Sequence, residues 1–292
     1  MISSSILSAI QENFSNHISF DSTLKFSPVG GGSINEAYRI SSDDQNIFCK
    51  LNSATKFPQL FAKEKNGLAL IGKQHIIQVP LVINCFEQDG KQVLLMEWIQ
   101  KGERNDGFWK KFGESLASLH QQTADNFGLG EDNYMGSVPQ SNRQHTTWKA
   151  FFIHERLQPM IDKCIGKNLL TKTHLQQFEN LYSKIENIFE EEKPSLLHGD
   201  LWSGNFMCSQ KCEPVLIDPA VYYGHRSMDL AMTTLFGGFD EVFYKAYNDY
   251  FPFPVNYREQ WAVCNLYPLL IHLYLFGSSF LPQIENILRK FA

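Results

Sequence analysis

Nothing in this sequence builds a disulfide framework. Its six cysteines, Cys49, Cys85, Cys164, Cys208, Cys212 and Cys264, are scattered over 292 residues without framework spacing, which predicts reduced thiols in a cytoplasmic protein. Cys208 and Cys212 have no second ligand pair of zinc-type spacing nearby, so they are expected to be structural thiols rather than half a metal site. Positive charge is not in excess either. The 26 Lys and Arg stand against 31 Asp and Glu, and the resulting net charge of −5 argues against nucleic acid as the main ligand. The opening MISSSILSAIQENF lacks the basic n-region and small-residue cleavage site of a signal peptide. Ile2, Ile6, Ile10 and Phe14 fall instead on one face of a short amphipathic helix. The most apolar segment, Asn265 to Leu281, is interrupted by Pro268, His272 and Gly277, so a buried helix is expected there and not a membrane span. No internal repeat and no low-complexity tract is present.

What remains is an ordinary globular composition, 43% hydrophobic and 20% charged, long enough for about two domains or lobes. Short β-type runs, Ala37 to Ile40 and Ile47 to Leu51, flank the polar turn Ser41 to Asn46 as a hairpin would. Phe57 to Ile71 reads as a helix, and Val82 to Ile99 as a second hairpin turning at Asp89-Gly90. From Phe108 the apolar period changes to that of a helix: Phe108, Phe112, Leu116 and Leu119 share one face, and Leu175, Phe178, Tyr182, Ile185 and Phe189 another. Only Ser195 to Leu197 and Val215 to Ile217 interrupt this helical part as short strands. The pattern is α+β: a small β-rich part followed by a larger helical one.

The densest chemistry lies in LLHGDLWSGNF, residues 196–206, where a carboxylate and a carboxamide sit between apolar flanks. Asp200 and Asn205 have the spacing D-x-x-x-x-N, and Asp218 follows thirteen residues after Asn205. Such a loop can offer one carboxylate to a hydroxyl, while Asn205 and Asp218 supply oxygens to Mg²⁺, which takes a few oxygen ligands completed by phosphate and water. Upstream, Gly30, Gly31, Gly32 and Ser33 lie between strands, where successive backbone N–H groups can cradle a phosphate or simply turn. Lys50 closes an apolar strand, as an edge residue or as a phosphate ligand. Glu64, on the following helix, is either its ion-pair partner or a solvated carboxylate.

Glycine loop, strand lysine, helix glutamate, a hairpin ending in Met96-Glu97-Trp98-Ile99, D-x-x-x-x-N and a later Asp form the order of parts in kinase-type phosphoryl transfer. On that order, and on GGGSINEAY, FCKLN, DNYMGSVPQ, HGDLWSGN and IDPAVYYGHRSMDLAMT, the sequence resembles the fructosamine kinase (ketosamine-3-kinase) family over nearly its whole length. That family is a small-molecule branch of the protein-kinase-like superfamily, with H-G-D in place of H-R-D. The resemblance implies a bilobal fold, an ATP-binding lobe over 1–98 and a catalytic and substrate lobe over 99–292. It implies Asp200 as catalytic base, Asn205 and Asp218 as the metal pair, Lys50 as the phosphate-binding lysine and Glu64 as its partner. The backbone at Glu97 and Ile99 would meet adenine. His198 would support the catalytic loop. Asp229 would brace that loop, or cap a helix, and Trp202 would stack on a sugar, or simply pack; Tyr223 and His225 are weaker candidates to line the same cleft.

The implied reaction is ATP- and Mg²⁺-dependent phosphorylation of the 3-hydroxyl of a ketosamine, a sugar joined to an amine by glycation, in deglycation repair. The rivals are another small-molecule kinase of this fold, acting on an aminoglycoside, amino alcohol or sugar, and a nucleotide-binding regulator without phosphotransfer. Two departures matter. Many relatives carry a cysteine in the glycine loop where Ser33 stands, so a thiol switch there is not expected. Only ten residues separate Asp218 from Asp229 and no A-P-E follows, too little for a peptide-docking activation loop, so a small molecule or one modified side chain is the expected acceptor.

Overall fold

The computed structural model describes residues 3–15, 24–30, 34–42 and 45–291. Helix α1 (Ser4–Ser15) buries Ile6 and Ile10, as its periodicity predicts; Ile2 and the Phe14 side chain lie outside the described residues. Strands β1 (Lys25–Pro28), β2 (Glu36–Ser42) and β3 (Gln45–Ser53) follow, then helix α2 (Leu60–Gly72) and the hairpin β4 (Val82–Gln88) and β5 (Lys91–Glu97). They form one antiparallel sheet in the order β1-β2-β3-β5-β4. The second hairpin turns where expected, with both Asp89 and Gly90 at positive φ (50° and 69°), the tight turn that matches strand twist. Helix α2 starts at Leu60, later than the expected Phe57. Pro58 disfavours helical backbone at the residue before it, and the buried Gln92 side chain holds the segment by accepting from the Phe61 N–H and donating to the Phe57 carbonyl.

Side chains alternate across this sheet, and the alternation sets up the site. Cys49, Leu51, Val93 and Leu95 point to the face that α1 covers, together with Ile6 and Ile10. Leu94 and Met96 point the other way, into a second cluster with Leu60, Phe61 and Leu68 of α2. With a period of two, Lys50 must leave the sheet on the α2 side. Each fully buried Leu or Ile in these clusters contributes about 1.5–3 kcal/mol.

The rest of the chain is mostly helical around one large core. Helix α3 (Asp106–His120) is capped by Asn105, whose side chain accepts from the Phe108 N–H, and buries Phe108, Phe112, Leu116 and Leu119 as expected. Two short strands, β6 (Asn133–Met135) and β7 (Val138–Gln140), form a hairpin absent from the sequence-based expectation. Helices α4 (Trp148–Phe151) and α5 (Gln158–Gly166) are joined by a π-helical turn, and α6 (Lys172–Ile188) carries the expected Phe178 and Ile185 face. Strand β8 (Ser195–Leu197) comes next, followed by β9 (Phe206–Cys208), β10 (Pro214–Leu216) and β11 (Tyr222–Gly224). β9 pairs with β10, while β11 returns to pair with β8. Three-residue strands are too short to carry alternation and show in a sequence only as apolar runs, as β8 and β10 do; β6, β7 and β11, broken by Asn133, Pro139 and Gly224, escape such a reading.

Helices α7 (Ser227–Met232), α8 (Glu241–Tyr250), α9 (Tyr257–Cys264), α10 (Leu266–Phe276) and α11 (Leu281–Leu288) complete the chain. The apolar segment from Asn265 is the expected buried helix, with Leu266, Leu269, Leu270 and Leu273 of α10 all in the core. No helix among the described residues is long and apolar enough to cross a membrane. The six cysteines are free; Cys208 and Cys212 both donate their thiols to the Glu103 carbonyl, at 3.2 and 3.6 Å, which ties the β9–β10 hairpin to the segment before α3.

Candidate active site

Lys50 leaves β3 towards α2 and is buried between two carboxylates, 2.7 Å from Glu64 Oε1 and 2.6 Å from Asp218 Oδ1. Burial disfavours its ammonium, but Asp218 and Glu64 together outweigh that and hold Lys50 charged, above the usual lysine range. Glu64 is pushed up by burial, with Lys50 opposing. Asp218 follows β10 and takes a left-handed backbone, φ 55°, which a short polar side chain tolerates better than most. Two elements far apart in sequence thus meet at one ammonium.

The loop from His198 to Asn205 is held from behind. Asp229, on α7, is buried, and its carboxylate accepts the backbone N–H of His198 at 2.7 Å and of Gly199 at 2.8 Å. His120 Nε2 lies 3.2 Å from the same carboxylate and its Nδ1 lies 2.9 Å from the Tyr247 hydroxyl. Asp229 therefore bonds to the loop backbone, not to the start of its own helix. His198 Nε2 donates to the Ile217 carbonyl at 2.9 Å, and the Asp200 N–H approaches its Nδ1 at 3.3 Å; burial keeps this imidazole neutral by lowering its pKa.

Both glycines of the loop have a reason to be there. Gly199 sits at φ +83°, and a Cβ would collide with the Ala220 carbonyl. At Gly204 the indole of Trp202 occupies the space a Cβ would need.

Asp200 stands half-buried at the floor of a cavity of about 480 Å³, and Asn205 Nδ2 donates to its Oδ2 at 2.9 Å and to its carbonyl at 2.8 Å. Burial pushes the Asp200 carboxyl up to about 7, against the opposing Asn205 hydrogen bond. Trp202, Asn205, Glu64 and Asp218 share the cavity lining with it. Lys50, Gly30, Glu97 and Ile99 are not in that lining. Gly30 is exposed at the end of the sheet, and Gly31, Gly32 and Ser33 lie outside the described residues. Glu97 ends β5 with its N–H donated to the Leu81 carbonyl at 2.8 Å, so that N–H is not open to a ligand, and Ile99 is buried just beyond. The following segment is fastened to the helical lobe, with Gly102 N–H on the Cys208 carbonyl at 2.8 Å and Gln210 N–H on the Gln100 carbonyl at 3.0 Å.

Among the described residues no group of three or more His, Cys, Asp and Glu converges as a metal cage. The donors at the cleft floor are a carboxamide and a carboxylate, hard oxygens too few to enclose an ion. Such a set fits Mg²⁺, which fills its octahedron with phosphate and water.

Tyr223 and His225, weaker candidates for this cleft, are elsewhere. His225 is buried against Phe189 and Trp148, with ring centroids 5.0 and 5.7 Å apart, and Tyr223 pairs by its backbone with Gly128. The segment DNYMGSVPQ, quoted for the resemblance without a role, turns out to be structural support for the site. Asn133 donates to the Val221 carbonyl at 2.8 Å, Gln140 donates to Asn133 Oδ1 at 2.8 Å, and Tyr267 donates to Gln140 at 2.8 Å. This buried chain fixes the β6–β7 hairpin, whose Tyr134, Met135 and Gly136 line the cavity. Phe236, which also lines it, carried no sequence signal at all.

The family model described as fructosamine kinase matches residues 4–292. The chain belongs to the fructosamine kinase family. It is 36% identical to a probable ketoamine kinase of Enterococcus faecium over 269 residues, covering 91% of this chain and 95% of that protein. The crystal structure of a provisionally named fructosamine-3-kinase from Haemophilus somnus 129PT superposes with a TM-score of 0.86 at 27% identity, covering 97% of this chain and 96% of that one. A thermostable mutant of the aminoglycoside phosphotransferase APH(4)-Ia, in complex with AMP-PNP and hygromycin B, superposes with a TM-score of 0.64 over 96% of this chain and 98% of that one. Its 12% identity speaks for the shared protein-kinase-like fold alone. In this family member the span from Asp218 to Asp229 holds β11, which pairs with β8, and the first turn of α7, where a protein kinase would begin its activation loop.

Proposed function

We propose that this fructosamine kinase family member transfers the γ-phosphoryl group of ATP to the 3-hydroxyl of a ketosamine, so that the unstable 3-phosphate sheds its amine. The observation that carries the reading is Asp200, held by Asn205 on the floor of a cavity that also holds Trp202 and lies beside the Lys50–Glu64–Asp218 cluster. Residues 1–98 form the ATP-binding lobe and 99–292 the catalytic and substrate lobe, in a cytoplasmic enzyme.

Asp200 is the catalytic base: its carboxylate orients the acceptor hydroxyl and takes its proton late, a contribution worth about 10²–10⁴ in rate. Asn205 and Asp218 hold Mg²⁺ by their oxygens. Lys50, oriented by Glu64, meets the phosphates, and the segment Gly30, Gly31, Gly32 and Ser33 is assigned to the same phosphates. The backbone at Ile99 and the carbonyl of Glu97 face adenine. Trp202 offers a flat apolar ring to the sugar. His198 and Asp229 keep the loop in place without touching substrate. When bound, ATP and Mg²⁺ supply the phosphoryl group and offset the charge that develops on it.

An acceptor of the aminoglycoside class has only fold likeness behind it, and the full set Lys50, Glu64, Asp200, Asn205 and Asp218 weighs against a nucleotide-binding regulator. Phosphorus NMR of the product formed from a ribulose–amine adduct tests the reading. A phosphate ester on O3, formed at least about a hundredfold more slowly by Asp200→Ala, is expected; esterification elsewhere on the sugar, or turnover undiminished by the substitution, would overturn it.

A further inference from the structure

Opposite the charged floor of the cavity stands a wall without charge. Phe236, His272, Phe276 and Phe280 gather there. The His272 ring lies 4.5 Å from Phe236, 5.1 Å from Phe280 and 5.5 Å from Phe276 between centroids. The Trp202 indole meets Phe236 edge-on at 6.2 Å, which makes the wall continuous with the ring beside Asp200. Helix α10 presents this wall with the side it does not bury: His272 and Leu275 are half-buried and Phe276 is 57% exposed.

Two features say that this surface is held open and not left over from packing. Phe236 is 40% exposed although a large aromatic, and its backbone sits at φ 54°, followed by Gly237 at φ 94°. A left-handed backbone at a bulky residue is strained and persists only where the surroundings impose it. The surroundings are the catalytic loop, since Ser203 Oγ donates to the Phe236 carbonyl at 3.2 Å. An exposed aromatic cluster contiguous with a polar reaction centre is the usual form of a ligand subsite.

The charged side chains of the described cavity lining are Lys63, Glu64, Asp200 and Asp218, and none belongs to the aromatic wall. Lys63 is engaged by Glu131 at 2.7 Å. His272 donates from Nδ1 to the Pro268 carbonyl at 2.7 Å, and burial lowers its pKa, so the ring stays neutral at pH 7. A substituent lying on this wall meets aromatic rings and no charged partner for an ammonium or carboxylate; the wall's one polar group is the neutral His272 ring, whose Nε2 can accept a hydrogen bond.

We infer that Phe236, His272, Phe276 and Phe280 form the subsite for the substituent carried by the ketosamine nitrogen, and that it selects uncharged, apolar substituents over the zwitterionic end of free lysine. The inference rests on the ketosamine reading above and deepens it. On this inference the sugar lies on Trp202 with its 3-hydroxyl at Asp200, and its amine is directed to Phe236, the ring that meets Trp202 edge-on, with the chain beyond it on His272 and Phe276. Aliphatic chains bury well on such a face, while an α-ammonium and α-carboxylate would lose water without gaining an opposite charge.

The test uses one sugar on two amines of equal chain length, ribulose–pentylamine and ribulose–lysine, with steady-state kcat/KM for each. The wild-type protein is expected to prefer the pentylamine adduct by about tenfold or more, and Phe276→Ala and Phe236→Ala are each expected to bring the ratio towards unity. Phe276 is largely exposed, so its replacement leaves folding intact, and a circular dichroism melt verifies this. A wild-type ratio at or below one, or a ratio unmoved by both substitutions, overturns the subsite while the kinase reading stands. Absence of turnover on both adducts overturns the ketosamine reading itself, and the subsite with it.

Discussion

The two sides of the cleft are built on opposite principles. On the side of the sheet, order comes from buried charge: Lys50 is clasped by Glu64 and Asp218, and Asp229 grips the backbone of the neighbouring loop. On the side of α10, order comes from ring packing and a strained backbone at Phe236, with no charged side chain in the wall. Charges in a dry pocket must be fully paired to be tolerated, so that side has little freedom to vary. An apolar wall needs only shape and can change with its ligand. On the proposed reading, the phosphate and metal chemistry lies on one side of Asp200 and the choice of acceptor on the other.

Breaking the charged side should have the larger effects. Asp200→Ala is expected to lower kcat by about 10²–10⁴ while ATP affinity, read by calorimetry, is retained. Lys50→Met would leave Glu64 and Asp218 without their shared cation, and a loss of about 3–5 kcal/mol in urea unfolding is expected. Asp229→Ala strands the N–H groups of His198 and Gly199, at about 1–3 kcal/mol each, and should lower Tm and kcat together.

Acid should act through Asp200. Its carboxyl is pushed up to about 7, so kcat/KM is expected to fall about tenfold per pH unit below that point, as the base takes up a proton. The same shift runs against stability. The folded pKa lies above the unfolded value of 3.8, so the wild type loses stability as pH rises from there through 7. Asp200→Asn escapes that loss, and its Tm should exceed that of the wild type by roughly 2–4 °C at pH 8, with the gain fading below pH 4. The smallest effect belongs to the other side: Trp202→Ala should raise KM for the ketosamine by about tenfold or less and alter stability little. A collapse of kcat in that variant would erase the distinction between the two sides.

The same contrast decides what could be read from the sequence. HGDLWSGN is legible because the chemistry is local: loop carboxylate, carboxamide and the glycines that clear Ala220 and Trp202 lie within eight residues. Lys50 and Glu64 are legible as a pair only through the order of parts and the family resemblance, because each alone admits an ordinary reading as an edge or surface residue. The aromatic wall is not legible. His272 and Phe276 share one face of α10, but Phe236 follows α7 and Phe280 lies in the turn after α10, so no local pattern brings the four together. The role of Asn133 and Gln140 was hidden for a similar reason, since their partners Val221 and Tyr267 are remote in the chain. The misplacement of His225 has its own cause: it lies close to the DPAVYYG strand, but β11 turns it away from the cleft towards Phe189.

The most direct test of the central claim is Mg²⁺-dependent ATP consumption with ribulose–lysine and fructose–lysine beside an aminoglycoside, with the Asp200→Ala protein as blank. Turnover on a ketosamine, none on the aminoglycoside and none in the blank is the predicted result. Turnover on the aminoglycoside alone, or consumption that the blank reproduces, would contradict it.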